Sequence, residues 1–176
     1  VAVGSFYYHF DSKEELFAEA LLSVLDTYAA WIREATADVA DPAEVFGRSF
    51  RLTGRLALGA PELFAPLLAH GTGLLGMDRG LQLAALEDLR RGVAAGRFGP
   101  LAPPVLLALA GGALLGLLQL IQDDPAAVDV GTVDAAAEGV LRMFGVDAVE
   151  AADIVRRPLP DNPAVALAAA HAGEQG

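Results

Sequence analysis

Apolar residues recur at three- and four-residue spacing along most of the chain, the pattern of amphipathic helices packed on a common core. The first long run is Leu16, Phe17, Ala20, Leu21, Val24, Leu25, Tyr28, Trp31, Ile32 and Ala35. It predicts one helix over residues 12–38, about 40 Å long at 1.5 Å per residue. Asp41-Pro42 then breaks the chain, with Asp41 as N-cap and Pro42 at the first helical position. Val45, Phe46, Phe50, Leu52, Leu56 and Ala57 predict the next helix over 42–58. Gly59-Ala60-Pro61 separates it from a short helix over 61–70 that carries Leu63, Phe64, Leu67 and Leu68 and ends at His70-Gly71. After the apolar loop Gly71–Gly76, residues Leu83, Leu86, Leu89 and Val93 predict a helix over 79–96, closed by Gly96. Helices over 102–122, 129–144 and 147–156 follow, the second capped by Gly145. Pro160, Pro163 and an Ala-rich run read as a frayed tail. Every predicted element is helical, so the fold class is all-α, and no internal repeat is present.

The segment Val105–Ile121 is the most apolar, interrupted only by Gln119. Its length and composition sit at the edge of a membrane span. Against a span stand the lack of a second such segment, the lack of a basic flank, and Asp123 and Asp124 directly after it. The alternative is a helix covered by a partner subunit. Ala108, Gly112 and Gly116 fall four apart on one face, which allows close helix approach. A homodimer is therefore expected through the helices at 102–122 and 129–144, with Ala108, Gly112, Gly116 and Val140 at the interface.

Composition adds three constraints. The 176 residues suffice for one domain with a sizeable core. Hydrophobic content of 54% against 20% charged suggests more than one buried surface, as in a protein that binds a partner or an apolar ligand. A formal net charge of −11 opposes nonspecific nucleic-acid binding by the whole chain, so any DNA contact must be local. The absence of Cys removes disulfides and thiolate metal sites.

Candidate chemistry is sparse. His9, His70 and His171 are far apart and lack metal-ligand spacing. No nucleophile–base set appears, the Gly-rich loop at 71–76 does not fit a nucleotide fingerprint, and neither a cofactor nor a metal is expected. The adjacent carboxylates Glu14-Glu15 and Asp123-Asp124 occupy capping positions. Arg48, Arg51 and Arg55 form a stripe read as a solvated face, with an acidic ligand or partner as the alternative. Arg156-Arg157 at a helix C-terminus is favourable by the macrodipole alone. The expected ligand cavity is apolar, walled by the helices at 42–58, 61–70, 79–96 and 102–122, with Phe50, Phe64 and His70 as lining.

The N-terminus carries the most specific motif. Phe6 and Phe10 share a helical face, Tyr7, Tyr8 and His9 crowd the adjacent one, and Ser12-x-x-Glu15 forms a capping box for the next helix. Gly4-Ser5-Phe6-Tyr7-Tyr8-His9-Phe10 followed by Ser12-Lys13-Glu14-Glu15-Leu16 resembles the end of the helix-turn-helix in the TetR family of bacterial transcriptional regulators. The resemblance is gap-free over about sixteen positions, under a tenth of the chain.

That resemblance implies a dimeric, ligand-responsive, repressor-type regulator in the cytoplasm and not an enzyme. Residues 1–20 would be part of the DNA-binding head, 21–158 the ligand-binding and dimerisation domain, and 159–176 a flexible tail. Val3, Gly4 and Ser5 would face base edges, Tyr7, His9 and Lys13 would donate to phosphates, and Tyr8 would also face the DNA. The family places two helices before the recognition helix, and this sequence opens at that helix without Met. It is thus expected to be a piece of a longer product, binding operator DNA tightly only with those helices. A small apolar effector would release the operator by shifting the long helix. The alternative reading is a helical interaction or membrane-associated protein anchored by 105–121.

Overall fold

A computed structural model describes residues 23, 26–65, 68 and 80–161. Within them are six helices: α1 over 26–35, α2 at Pro42–Gly59, α3 at Gly80–Ala94, α4 at Pro103–Asp123, α5 at Val130–Met143 and α6 at Ala148–Arg156. Short 3-10 turns at Pro61–Leu63, after α2, and at Pro125–Ala127, after α4, both pack against α4. The predicted helices from 42 onward appear within one or two residues of their expected ends, the 61–70 helix apart. There the described residues make the turn at Pro61–Leu63, with Ala65 and Leu68 helical. The predicted 12–38 helix is described from 26, and its regular hydrogen bonding stops at Ala35. The Thr36 hydroxyl turns back to donate to the Ile32 carbonyl (2.9 Å), competing with helix continuation.

The caps follow local chemistry. The Asp41 carboxylate accepts from the Ala43 amide (3.1 Å) with Pro42 in the first turn, as the sequence predicts. Asp129 and Thr132 form a reciprocal capping box at the start of α5, the Thr132 amide donating to Asp129 Oδ1 at 2.7 Å. Helices α3 and α5 end alike. Gly96 (φ 68°) and Gly145 (φ 93°) adopt the left-handed conformation, and the next amide reaches back five residues, Arg97 to the Gly92 carbonyl and Val146 to the Leu141 carbonyl. These two ends meet: the Gly99 amide donates to the Phe144 carbonyl at 2.7 Å, and the Phe98 and Phe144 rings pack edge-on, 5.3 Å apart.

Helix α2 is the hub. It packs against α3, α4, α5 and α6, and its Phe46 touches Phe50, Phe98 and Phe144. Gly54 permits the close approach to α5, where a β-carbon would lie 2.6 Å from a Val133 methyl, and Gly47 does the same for α6 against Ile154 (2.8 Å).

Candidate functional site

Three features of the body could carry function: the core beside α2, the outer faces of α4 and α5, and a seam of charges along α2. Phe50 and Phe64, two of the expected ligand-lining residues, belong to the same buried cluster. Phe50 packs on Phe46 within α2 (6.0 Å), and Phe64 follows the turn at Pro61–Leu63. The third, His70, lies outside the described residues, as do Val3, Gly4, Ser5, Tyr7, Tyr8, His9 and Lys13. On α1 the Tyr28 and Trp31 rings stack 5.6 Å apart, Tyr28 buried and Trp31 half-buried. Thr36 and Thr53 are buried, and each satisfies its hydroxyl on the carbonyl one helical turn earlier.

Helix α4 buries Leu106, Ala110, Leu117, Leu118 and Ile121 against the core. The Gln122 amide donates to the Pro61 carbonyl at 2.8 Å and ties its far end down. The opposite face is open. Ala108, Gly112 and Gly116 are exposed, and a β-carbon on either glycine would meet nothing within 4 Å. Val105 and Leu120 flank them at 46% and 54% exposure. Val140 needs correction as an interface residue. It is 3% exposed in the single chain, packed into the chain's own core with Val133, Ala137 and Leu141. The outward face of α5 is instead Gly131, Ala135, Gly139 and Met143, again four apart. The error was one of register, because Val140 belongs to the inward three-four stripe and the small residues to the outward one.

The Arg48, Arg51, Arg55 stripe is neither a solvated face nor an open anion site. Arg51 is 4% exposed. Its Nε and Nη2 hold the two oxygens of Asp134 on α5 (2.7 and 3.3 Å), and Nη1 donates to the Arg157 carbonyl (2.9 Å). Arg55 Nη2 reaches both oxygens of Asp134 as well, at 3.2 and 3.1 Å. Arg48 donates to the Ala35 carbonyl and to Asp38 through Nη1, and to Glu44 through Nη2, all at 3.1 Å. On the other side of the α1–α2 junction, Arg97 pairs with both oxygens of Asp41 (2.7 and 3.0 Å) and with Glu150. The Arg97 hydrogen bond holds the Asp41 carboxyl below its ordinary value against the opposing effect of burial. The same carboxylates, Asp41 first, push the Arg97 pKa up. Sequence reading missed the distant partners of Arg51, Arg55 and Arg97, which lie 53 to 106 residues away in the chain. The available signal was Asp134, a charge set beside the inward stripe of α5 and opposite in sign to Arg51, itself set between Phe50 and Leu52. Among the described residues no cluster of three metal-ligating side chains occurs.

The family model for the tetracyclin repressor-like C-terminal domain matches residues 41–157, from the N-cap of α2 to the end of α6. The chain belongs to the TetR family. Among solved structures, this TetR-like regulator is similar to RolR without ligand, with a TM-score of 0.76 and 26% sequence identity, covering 92% of this chain and 83% of RolR. RolR in complex with its ligand resorcinol matches with a TM-score of 0.71 and 26% identity, over 92% of this chain and 80% of that one. No curated protein matches the chain. Among the described residues α4 alone is long and apolar enough to cross a membrane, by length and composition.

Proposed function

We propose that this TetR-family protein is a repressor-type regulator that works as a homodimer and leaves its operator when a small, largely apolar aromatic compound enters the body. The observation that carries the reading is the similarity to RolR, solved both free and with resorcinol, over 92% of this chain. The motif Gly4 to Phe10 supports operator contact by the head, with Val3, Gly4 and Ser5 toward bases and Tyr7, Tyr8, His9 and Lys13 toward the backbone.

The effector site is assigned to the region between α2, α3, α4 and the segment after Pro61, with Phe50, Phe64 and His70 as its lining. A small aromatic compound suits a body whose buried side chains are overwhelmingly apolar and whose buried threonines are already bonded internally. Dimerisation is assigned to the outer faces of α4 and α5. Ala108, Gly112 and Gly116 on one and Gly131, Ala135 and Gly139 on the other let four helices cross closely about a two-fold axis. Effector binding would shift α1 and alter the spacing of two recognition helices that must match half-sites about 34–36 Å apart.

The test is a titration with resorcinol, read by melting temperature and by the fluorescence of Trp31, the sole tryptophan. It is paired with a mobility shift of the full-length gene product on DNA upstream of its own gene. Saturable binding that releases the DNA is expected. DNA binding indifferent to a panel of small aromatics would remove the effector part of the reading. No binding to any genomic fragment would remove the regulator part.

A further inference from the structure

We infer that Arg157, the first residue past α6, is a latch that closes the junction between α1 and α2. Its side chain spans two carboxylates, Glu44 on α2 and Asp153 on α6, the latter at 3.2 Å. Glu44 uses its other oxygen for Arg48 (3.1 Å), and Arg48 in turn holds the last carbonyl of α1, Ala35, and the side chain of Asp38. A continuous charge chain therefore runs Asp38, Arg48, Glu44, Arg157, Asp153. It joins residues 113 positions apart, Glu44 and Arg157, at the point where α1 turns into α2.

Glu44 is the shared element. Its side chain is only 14% exposed and lies between two guanidinium groups. Withdrawing Arg157 leaves Glu44 with Arg48 as its one remaining cation, so Glu44 is freed to move and to draw the Arg48 guanidinium with it, away from the Ala35 carbonyl. That carbonyl is one of the orphan acceptors of a helix end, so its partner decides how tightly the end is fixed. The backbone of Arg157 is held separately, its carbonyl accepting from the buried Arg51. The side chain can therefore be released while α6 stays docked. The consequence is regulatory: the C-terminal end of the domain sets how freely α1 tilts on α2. A truncation or partner that displaces Arg157 would loosen α1 whether or not an effector is bound. This holds independently of the effector and operator assignments.

The test is hydrogen exchange in the full chain. The reporters are the Ala37 and Val39 amides, which donate to the Glu34 and Thr36 carbonyls in the junction turn. Arg157→Ala should raise their exchange about fivefold, the scale of one partly sheltered ion pair. Arg48→Ala should do at least as much. The double variant should exchange no faster than Arg48→Ala alone, because Arg157 reaches the junction only through Glu44 and Arg48. Amides of α5 serve as the control and should not change. Unchanged Ala37 and Val39 exchange in Arg157→Ala would overturn the latch. So would a rise shared equally by α5, which would mark a general structural role, or multiplicative effects in the double variant.

Discussion

Helices α2 and α4 invert the simple expectation that the more apolar helix is the more deeply buried. α2 carries four charged residues at 44, 48, 51 and 55, yet eleven of its 18 residues are buried. α4 has one acidic residue at its last position, and five of its 21 residues are buried. The difference teaches what each composition is for. In α2 charge is tolerated inside because every charged group finds a partner: Asp134 on α5 for Arg51 and Arg55, Asp38 and Glu44 for Arg48, and Arg48 and Arg157 for Glu44. In α4 an apolar face with small residues is exposed rather than packed on the other described helices, the kind of face that marks interaction sites.

The sharpest way to break the α2 side of the comparison is to remove a partner. Asp134→Ala leaves Arg51 buried without its carboxylate, and breaking a buried pair this way costs about 3–5 kcal/mol. Chemical denaturation should show that loss, and a change under about 1 kcal/mol would mean that Arg51 is not held as described. The close crossing of α2 and α5 is probed by Gly54→Ala. The added β-carbon falls 2.6 Å from a Val133 methyl, and overpacking should destabilise by about 1–3 kcal/mol. Val133→Ala in the same chain removes that methyl and should recover part of the loss, which separates crowding from a backbone effect.

Smaller effects sharpen the electrostatic side. The Asp41 pKa is depressed in the folded state, chiefly by Arg97. Its contribution to stability is therefore fully present above the ordinary value of 3.8 and is lost as pH falls through the depressed folded value. Asp41→Asn keeps the N-cap but loses the pair. It should cost about 1 kcal/mol at neutral pH and give a shallower decline in urea midpoint than the parent as pH falls through the Asp41 range. At the low end, Glu87 and Arg90 are both more than half exposed and 3.6 Å apart on α3. Arg90→Ala should change stability by less than about 0.5 kcal/mol, and a larger loss would show that exposed pairs matter here as the buried ones do.

What was legible in the sequence was local. Asp41-Pro42, Gly96 and Gly145 announce helix ends because capping and left-handed turns are satisfied within a few residues. The inward stripe of α2 was legible for the same reason, since periodicity is read along one helix. The pairing of Arg51 with Asp134 and of Glu44 with Arg157 was not, because nothing along α2 says which distant helix will arrive beside it. The glycines at 47 and 54 look like weak helix positions until α5 and α6 are laid across them. Of the candidate site, Phe50 and Phe64 lie in the buried cluster, Val140 lies on the inward face of α5 because it belongs to the three-four stripe with Val133, Ala137 and Leu141, and His70 and the head motif lie outside the described residues.

The central claim is that the open face of α4 is covered by a second copy of the chain. It is tested most directly by light-scattering mass for the parent and for Gly112→Leu, with helix content measured on both. A β-carbon at Gly112 meets nothing within 4 Å in the single chain, and leucine favours the helix over glycine by about 1 kcal/mol, so the protomer itself should fold at least as well. The account predicts a dimeric parent and a variant driven to monomer or aggregate at unchanged helix content. A Gly112→Leu protein that keeps the parent's dimer mass would contradict it.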